Sequence, residues 1–180
     1  MITKLNSHQI RASRPQKALI DRLSLKRQPI IFVLDNIVDT YNIGSFFRLA
    51  DALSIQKIYL CGPVVTPPNI KIHRSSIGTW KWVDWEQVDR VGECLKKLKS
   101  KGYSIYTCEQ AKNSQNYLKV DYHPPLALVF GSETNGASPE SIKIADKIVE
   151  IPMFGINKSL NVLVSAAVIG YHLSSRLKTN

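Results

Sequence analysis

Three polar segments of this 180-residue chain carry side chains able to do chemistry, and each follows a short apolar run. The first runs from Asp35 to Arg48, DNIVDTYNIGSFFR. It leaves an apolar run and enters a helix near Asn42, a residue type favoured at helix N-caps. Arg48 lies four residues beyond Gly44, so the two share a helix face, and Gly44 is expected to leave that face open above the guanidinium. An arginine at the ligand edge of a sheet clamps a phosphate or stabilises an oxyanion. The plainer alternative is a surface arginine paired with Asp51 three residues on. The second segment is Gly131-Ser132-Glu133-Thr134-Asn135-Gly136. It resembles a phosphate loop only loosely, because Ala137 follows where such a loop requires lysine. A glutamate among glycines suits gripping a hydroxyl or an amine, capping the next helix, or simply a strand-to-helix turn. The third segment, Ile151 to Val162, passes from an apolar strand end through Pro152 and Gly155 into a helix capped by Ser159 or Asn157. Its backbone groups are expected at the same edge as the other two.

Several chemistries are excluded by what is missing. There is no GxGxxG, no acidic residue followed by GxGxG after the first apolar run, no GxSxG and no Ser/His/Asp pattern, so conventional dinucleotide, Rossmann-type methyltransferase and hydrolase plans do not apply. His8, His73, His123 and His172 lack metal-ligand spacing. Cys61, Cys94 and Cys108 are odd in number, far apart and without CxxC, so no zinc or other metal site is expected. A reducing, cytoplasmic setting fits unpaired thiols.

The elements that must position these segments follow from apolar patterning. Continuous apolar runs at 30–34 (IIFVL), 58–60, 103–107, 126–130 (LALVF) and 147–151 read as strands buried on both faces. Helical patterns lie between them at 44–53 and 91–102, the latter ending at Gly102. Alternating strands and helices predict an α/β fold with a mostly parallel sheet and helices on both faces. In such sheets ligands bind beyond the carboxyl ends of the strands, where all three segments begin. The last helix, 159–173, is apolar or small on nearly every side, so it needs burial all round: a subunit interface supplies it, or an enclosed core.

Composition places the chain among globular domains of one unit. No apolar stretch is long enough to span a membrane, and the polar N-terminus is not expected to be a secretory signal. The charge is uneven. Lys and Arg number 24 against 14 acids, and residues 1–29 alone carry seven bases and one acid. Ser13-Arg14-Pro15 followed by QKALIDRLSLKR reads as a capped basic helix. A basic arm at 1–29 before a nearly balanced domain at 30–180 points to a polyanion such as RNA, or to a solubilising tail. Lys71–Trp82, where bases interleave with Trp80 and Trp82, is a second candidate RNA surface, or a set of core anchors.

The order NIGSFFRLADAL, LVFGSETNG, IPMFGINKSLNVLVSAA resembles the three ordered motifs of the SpoU (TrmH-like) branch of the SPOUT RNA methyltransferases, over about residues 30–175. The resemblance implies a deep C-terminal trefoil knot, S-adenosyl-L-methionine held in the knot loops, a homodimer, and methylation of a ribose 2′-hydroxyl in RNA, tRNA first and rRNA second; a non-catalytic RNA-binding protein on the same fold is the alternative. By motif matching, Asn42, Arg48, Glu133, Ser159 and Asn161 take the catalytic positions, and Thr107, Gly131, Ile151 and Leu160 the cofactor contacts. Leu163 and Ala137 depart from the family pattern at non-catalytic positions. On this reading Arg48 is a positive clamp on the forming alkoxide rather than a base, since a guanidinium keeps its proton.

Overall fold

Apolar runs such as 30–34 and 126–130 have no polar side to turn to water, so they pair where both sheet faces are covered. In the computed structural model, which describes residues 26–177, they form the centre of one seven-stranded sheet. The strands are β1 (Gln28–Asp35), β2 (Ile55–Cys61), β3 (Trp85–Val88), β4 (Ser104–Cys108), β5 (Gln115–Asn116), β6 (Leu126–Gly131) and β7 (Lys147–Glu150). Their spatial order is β3-β2-β1-β6-β4-β7-β5, and every pairing is parallel. The helices are α1 (Thr40–Ala52), α2 (Ile70–Ser76), α3 (Val91–Ser100), α4 (Pro139–Ile144) and α5 (Val162–Leu177), with a 3-10 turn at Thr79–Lys81.

The central strand β1 shows why the sheet is covered twice. Phe32 and Leu34 join one core with Phe46 and Phe47 of α1, Phe130 of β6 and Ile169 of α5. Ile31 and Val33 point the other way, into a core with Cys94, Leu95 and Leu98 of α3. Phe32 meets Phe130 edge-on at 5.5 Å between ring centroids. Burying each such side chain contributes about 1.5–3 kcal/mol before ordering costs.

All five strand expectations correspond to strands. β3 and β5 were not anticipated: both lie at sheet edges and are only partly buried. β1 begins at Gln28, two residues earlier than expected. The basic helix expected at the N-terminus, like most of the 1–29 arm, lies outside the described residues. Arg27, at the arm's end, donates from its guanidinium to the carbonyls of Trp82 (3.0 Å) and Ile55 (3.3 Å).

The last helix differs from expectation in its start, and of the two ways to bury it the enclosed core does not hold. It starts at Val162 and is not enclosed. Ala166, Ile169, Gly170 and Leu173 are buried, and Gly170 lets the helix approach the end of α1 until an added Cβ would lie 2.7 Å from Leu53 Cδ1. The opposite side leaves Val164 and Tyr171 about half exposed. Among the described residues, no helix is long and apolar enough to cross a membrane.

Candidate active site

Parallel strands put all their carboxyl ends on one edge. Asp35 of β1 and Gly131 of β6 stand side by side there, next to the ends of β4 and β7. A cleft of about 450 Å³ opens at this edge. Cys108, Glu109 and Gln110 line it from the end of β4, Phe130, Gly131, Ser132, Glu133 and Gly136 from the end of β6, and Val149, Glu150 and Ile151 from the end of β7. Ser159, Leu160 and Asn161, with the start of α5, close it.

The first segment does not enter its helix at Asn42. Asp39 is the N-cap, its carboxylate accepting from the Tyr41 backbone N–H at 2.7 Å. Asn42 therefore sits inside the first turn, buried, and turned toward the cleft. Its Nδ2 donates to Glu133 Oε1, and its Oδ1 accepts from Asn161 Nδ2 at 3.4 Å. Asn161 in turn caps α5, its Oδ1 accepting from the Leu163 N–H at 2.9 Å. The cap is thus Asn161, not Ser159 or Asn157. A carboxylate only accepts, so Glu133 sets which way the Asn42 amide faces, and Asn42 sets Asn161. Three residues spread over 119 positions become one polarised chain at the cleft mouth.

Glu133 does not cap the next helix; Ser138 does, accepting from Ser141 N–H. Instead Glu133 rides on a tight loop closed by paired backbone bonds between Ser132 and Gly136. Gly136 has φ +65°, a left-handed conformation that suits glycine. A Cβ on Gly131 would collide with the backbone of Gly136 and Ala137, so the loop folds back over Gly131.

Gly44 leaves no open space above Arg48. It is buried against α2, where a Cβ would strike Ser75 and come 2.7 Å from the Ile72 carbonyl. Arg48 is exposed on α1, lies outside the cleft of its own chain, and pairs with no acid among the described residues. Asp51 instead accepts from Trp82 Nε1 at 2.8 Å. Thr107 is also outside the cleft: it is buried and its hydroxyl donates to the Ser141 carbonyl at 3.1 Å. The next residues of that strand, Cys108 to Gln110, line the cleft in its place. Burial, and then the neighbouring Glu109 charge, push the Cys108 thiol up, so it forms a neutral wall.

Two residues that the sequence reading passed over organise the edge. Asp35, 1% exposed, accepts from Ser138 N–H (2.8 Å), Ser141 Oγ (2.7 Å) and Asn36 Nδ2 (2.8 Å), tying β1 to the loop after β6. Glu109 accepts from Ala137 N–H at 2.7 Å, and Gln110 Nε2 donates to the Lys158 carbonyl at 2.6 Å, tying β4 to both other loops. The available signal was a polar residue directly after an apolar strand. Among the described residues no cluster of three His, Cys, Asp or Glu is placed to hold a metal ion.

This arrangement has counterparts. The chain is 35% identical over 156 residues to a protein named tRNA (guanosine(18)-2'-O)-methyltransferase from Aquifex aeolicus, covering 86% of this chain and 73% of that one. The crystal structure of an A. aeolicus TrmH/SpoU tRNA modifying enzyme is similar with a TM-score of 0.82 and 33% identity, over 91% of this chain and 84% of that one. The SpoU methyltransferase AviRb from Streptomyces viridochromogenes, crystallised in complex with AdoMet, shares the fold with a TM-score of 0.78 at 24% identity, over 89% and 65% of the two chains. Residues 29–171, which include every strand but the first residue of β1 and all three cleft-forming segments, match the SpoU rRNA Methylase family, and the chain belongs to that family.

Proposed function

We infer that this chain transfers a methyl group from S-adenosylmethionine to a ribose 2′-hydroxyl of tRNA. The observation that carries the reading is the Asn42–Glu133–Asn161 chain at the mouth of a cleft on the carboxyl edge of the sheet. Family membership and the names of the A. aeolicus relatives support it.

The residues present fit the cofactor. Gly131 and Gly136 present backbone alone to the cleft, Val149, Ile151 and Leu160 offer apolar walls, and Glu109 and Glu150 bring carboxylates to a site that would take a sulfonium cation. Gly131, Ile151 and Leu160 would hold it, with Cys108–Gln110 where Thr107 was expected. S-adenosylmethionine, when bound, supplies an electrophilic methyl group. The protein's own task is alignment and charge. Glu133 fixes Asn42, and Asn42 with Asn161 orients the ribose. Ser159, exposed in the cleft, accepts a hydrogen bond from the 2′-hydroxyl, whose proton passes to water or an adjacent RNA phosphate as the new oxygen–carbon bond forms. A fixed guanidinium stabilises the oxyanion that forms.

That guanidinium belongs to Arg48 of the partner subunit, because Arg48 stands outside the cleft of its own chain. A homodimer is supported by uncovered apolar side chains: Phe154 and Ile156, in the loop that leads to the cleft, are 97% and 98% exposed, and Val164 and Tyr171 on α5 are about half exposed. Val164→Glu puts a charge into that interface. The expected result is a monomer by sedimentation and a loss of transfer of about 100-fold, the scale of removing one transition-state donor. A monomer with undiminished transfer contradicts the shared site. The trefoil knot is proposed with this assembly, supported by the tie between Gln110 and Lys158, which lie 48 residues apart in sequence, before and after β6. The proposed setting is the cytoplasm, which the free thiols of Cys61, Cys94 and Cys108 support.

The reading is tested by incubating the protein with methyl-labelled cofactor and unfractionated tRNA, then digesting to nucleosides. Label in a 2′-O-methyl nucleoside is expected. Label in a base, or none in tRNA, overturns the assignment. Leu160→Arg sets a charge in the apolar wall and should weaken cofactor binding by at least about tenfold in calorimetry, with the melting temperature unchanged, since Leu160 is partly exposed.

A further inference from the structure

One basic surface is not used by the cleft. From Ala52 to Val83 the chain contains no acid, yet it carries Lys57, Lys71, Arg74 and Lys81. Lys57 is committed to Glu86 at 2.6 Å. Lys71, Arg74 and Lys81 are exposed and form no ion pair with any described residue. Lys81 lines a hollow of about 310 Å³ between α2 and the 3-10 turn, together with Pro68, Asn69, Ile70, His73 and Trp80; Lys71 and Arg74 lie on α2, each next in sequence to a lining residue. The tryptophans divide here. Trp82 donates to Asp51, and Trp85 packs edge-on against Phe47 at 6.2 Å, so both serve the fold. Trp80 alone lines the hollow. Its Nε1 donates to His73 Nδ1 at 3.2 Å, which fixes the ring and leaves His73 Nε2 for a further hydrogen bond. Lys81 Nζ stands 5.9 Å from the centre of the Trp80 ring.

We propose that this hollow docks a single-stranded segment of the substrate RNA, one unpaired base stacking on Trp80 while neighbouring phosphates meet Lys71, Arg74 and Lys81. The proposal rests on the reading of the chain as an RNA methyltransferase. Its chemistry is a stacking platform surrounded by donors and cations with no acid among them, which suits a polyanion with exposed bases better than a protein surface. The hollow is also mechanically joined to the reaction edge. α2 packs on α1 at Gly44, and Ser75 Oγ donates to the Thr40 carbonyl at 3.5 Å, two residues before Asn42. RNA held here is therefore held at a set distance from Asn42, which would position the target ribose rather than take part in the transfer.

The test compares wild type with K71E/R74E/K81E, three exposed positions, using unfractionated tRNA. Affinity in the variant should fall at least about tenfold, and the slope of log K against log salt should shrink by about 2, as expected for three lost phosphate contacts. Cofactor affinity by calorimetry should stay as in wild type, and kcat at saturating tRNA should change less than about twofold while KM rises. Because Trp80 also packs against the core, stacking is read without mutation: wild type irradiated with tRNA containing 4-thiouridine should crosslink within peptide 70–82. Unchanged affinity and salt slope, or crosslinks only elsewhere, overturn the proposal. If wild type transfers no methyl to any RNA, the functional reading fails; the binding and crosslinking results still judge the hollow separately.

Discussion

Arg48→Ala should bind cofactor as wild type does by calorimetry, yet transfer methyl groups to tRNA about 100- to 1,000-fold more slowly, the range seen when one transition-state donor is removed. The asymmetry follows from where Arg48 sits. It is exposed on α1, outside its own cleft, and has no acid partner among the described residues. Truncating such a side chain changes stability by no more than about 0.5 kcal/mol. Its effect must then appear where charge develops, with kcat and kcat/KM falling together. Arg48→Lys should recover only part of the rate, because an ammonium keeps the charge and loses the planar fork. Near-normal turnover in Arg48→Ala would refute the role.

The same residue separates an arm reaching across subunits from one acting within its own. Arg48→Ala has an intact cleft, and Leu160→Arg has an intact arginine. If each cleft uses the partner's Arg48, mixing the two inactive variants creates one working site per mixed dimer. Random pairing in a two-fold dimer then restores about a quarter of wild-type activity. If Arg48 serves its own cleft, no pairing restores anything, and the shared-site arrangement is wrong.

Asp35→Ala should be the most destabilising single change at the site. The carboxylate is 1% exposed and accepts three hydrogen bonds, two of them from the loop and helix that follow β6. Its removal strands the Ser138 N–H and the Ser141 hydroxyl in a dry environment. Losing charge-assisted bonds and leaving buried donors unmet costs about 3 kcal/mol or more. Against a total stability of about 5–15 kcal/mol that is a large fraction. Urea unfolding should show the midpoint falling with an unchanged slope. Asp35→Asn keeps the shape and one acceptor oxygen, so it should lose less. Where Asp35→Ala still folds, transfer should also fall, because the loop it anchors carries Glu133. A loss under about 1 kcal/mol would show that water replaces the carboxylate and that Asp35 does not organise this edge.

How much of this was legible in the chain depends on how local each cause is. The central strands were readable because burial on both faces leaves a continuous apolar run. β3 and β5 were not, since edge strands of four and two residues repeat too little to register. The entry into α1 was expected at Asn42 and lies at Asp39: both are good cap types, and local chemistry does not rank them. Only the packed structure, which needs Asn42 for Glu133 and Asn161, leaves the cap to Asp39. Gly44 shows the same limit. A missing Cβ reads as open space, yet here it is the space that α2 occupies.

The amino-acid sequence by itself determined the parallel α/β plan, the edge at which chemistry would gather, and the polar residues standing at that edge. These follow from apolar periodicity and from the rule that parallel strands end together. The tertiary structure alone decided which of those residues meet. It joined Asn42 to Glu133 and Asn161, spent Thr107 on Ser141, made Asp35 and Glu109 into ties, and left Arg48 facing outward. The reason is that a hydrogen bond is settled at about 3 Å, whereas the spacing of residues along a chain says nothing about distances across the sheet.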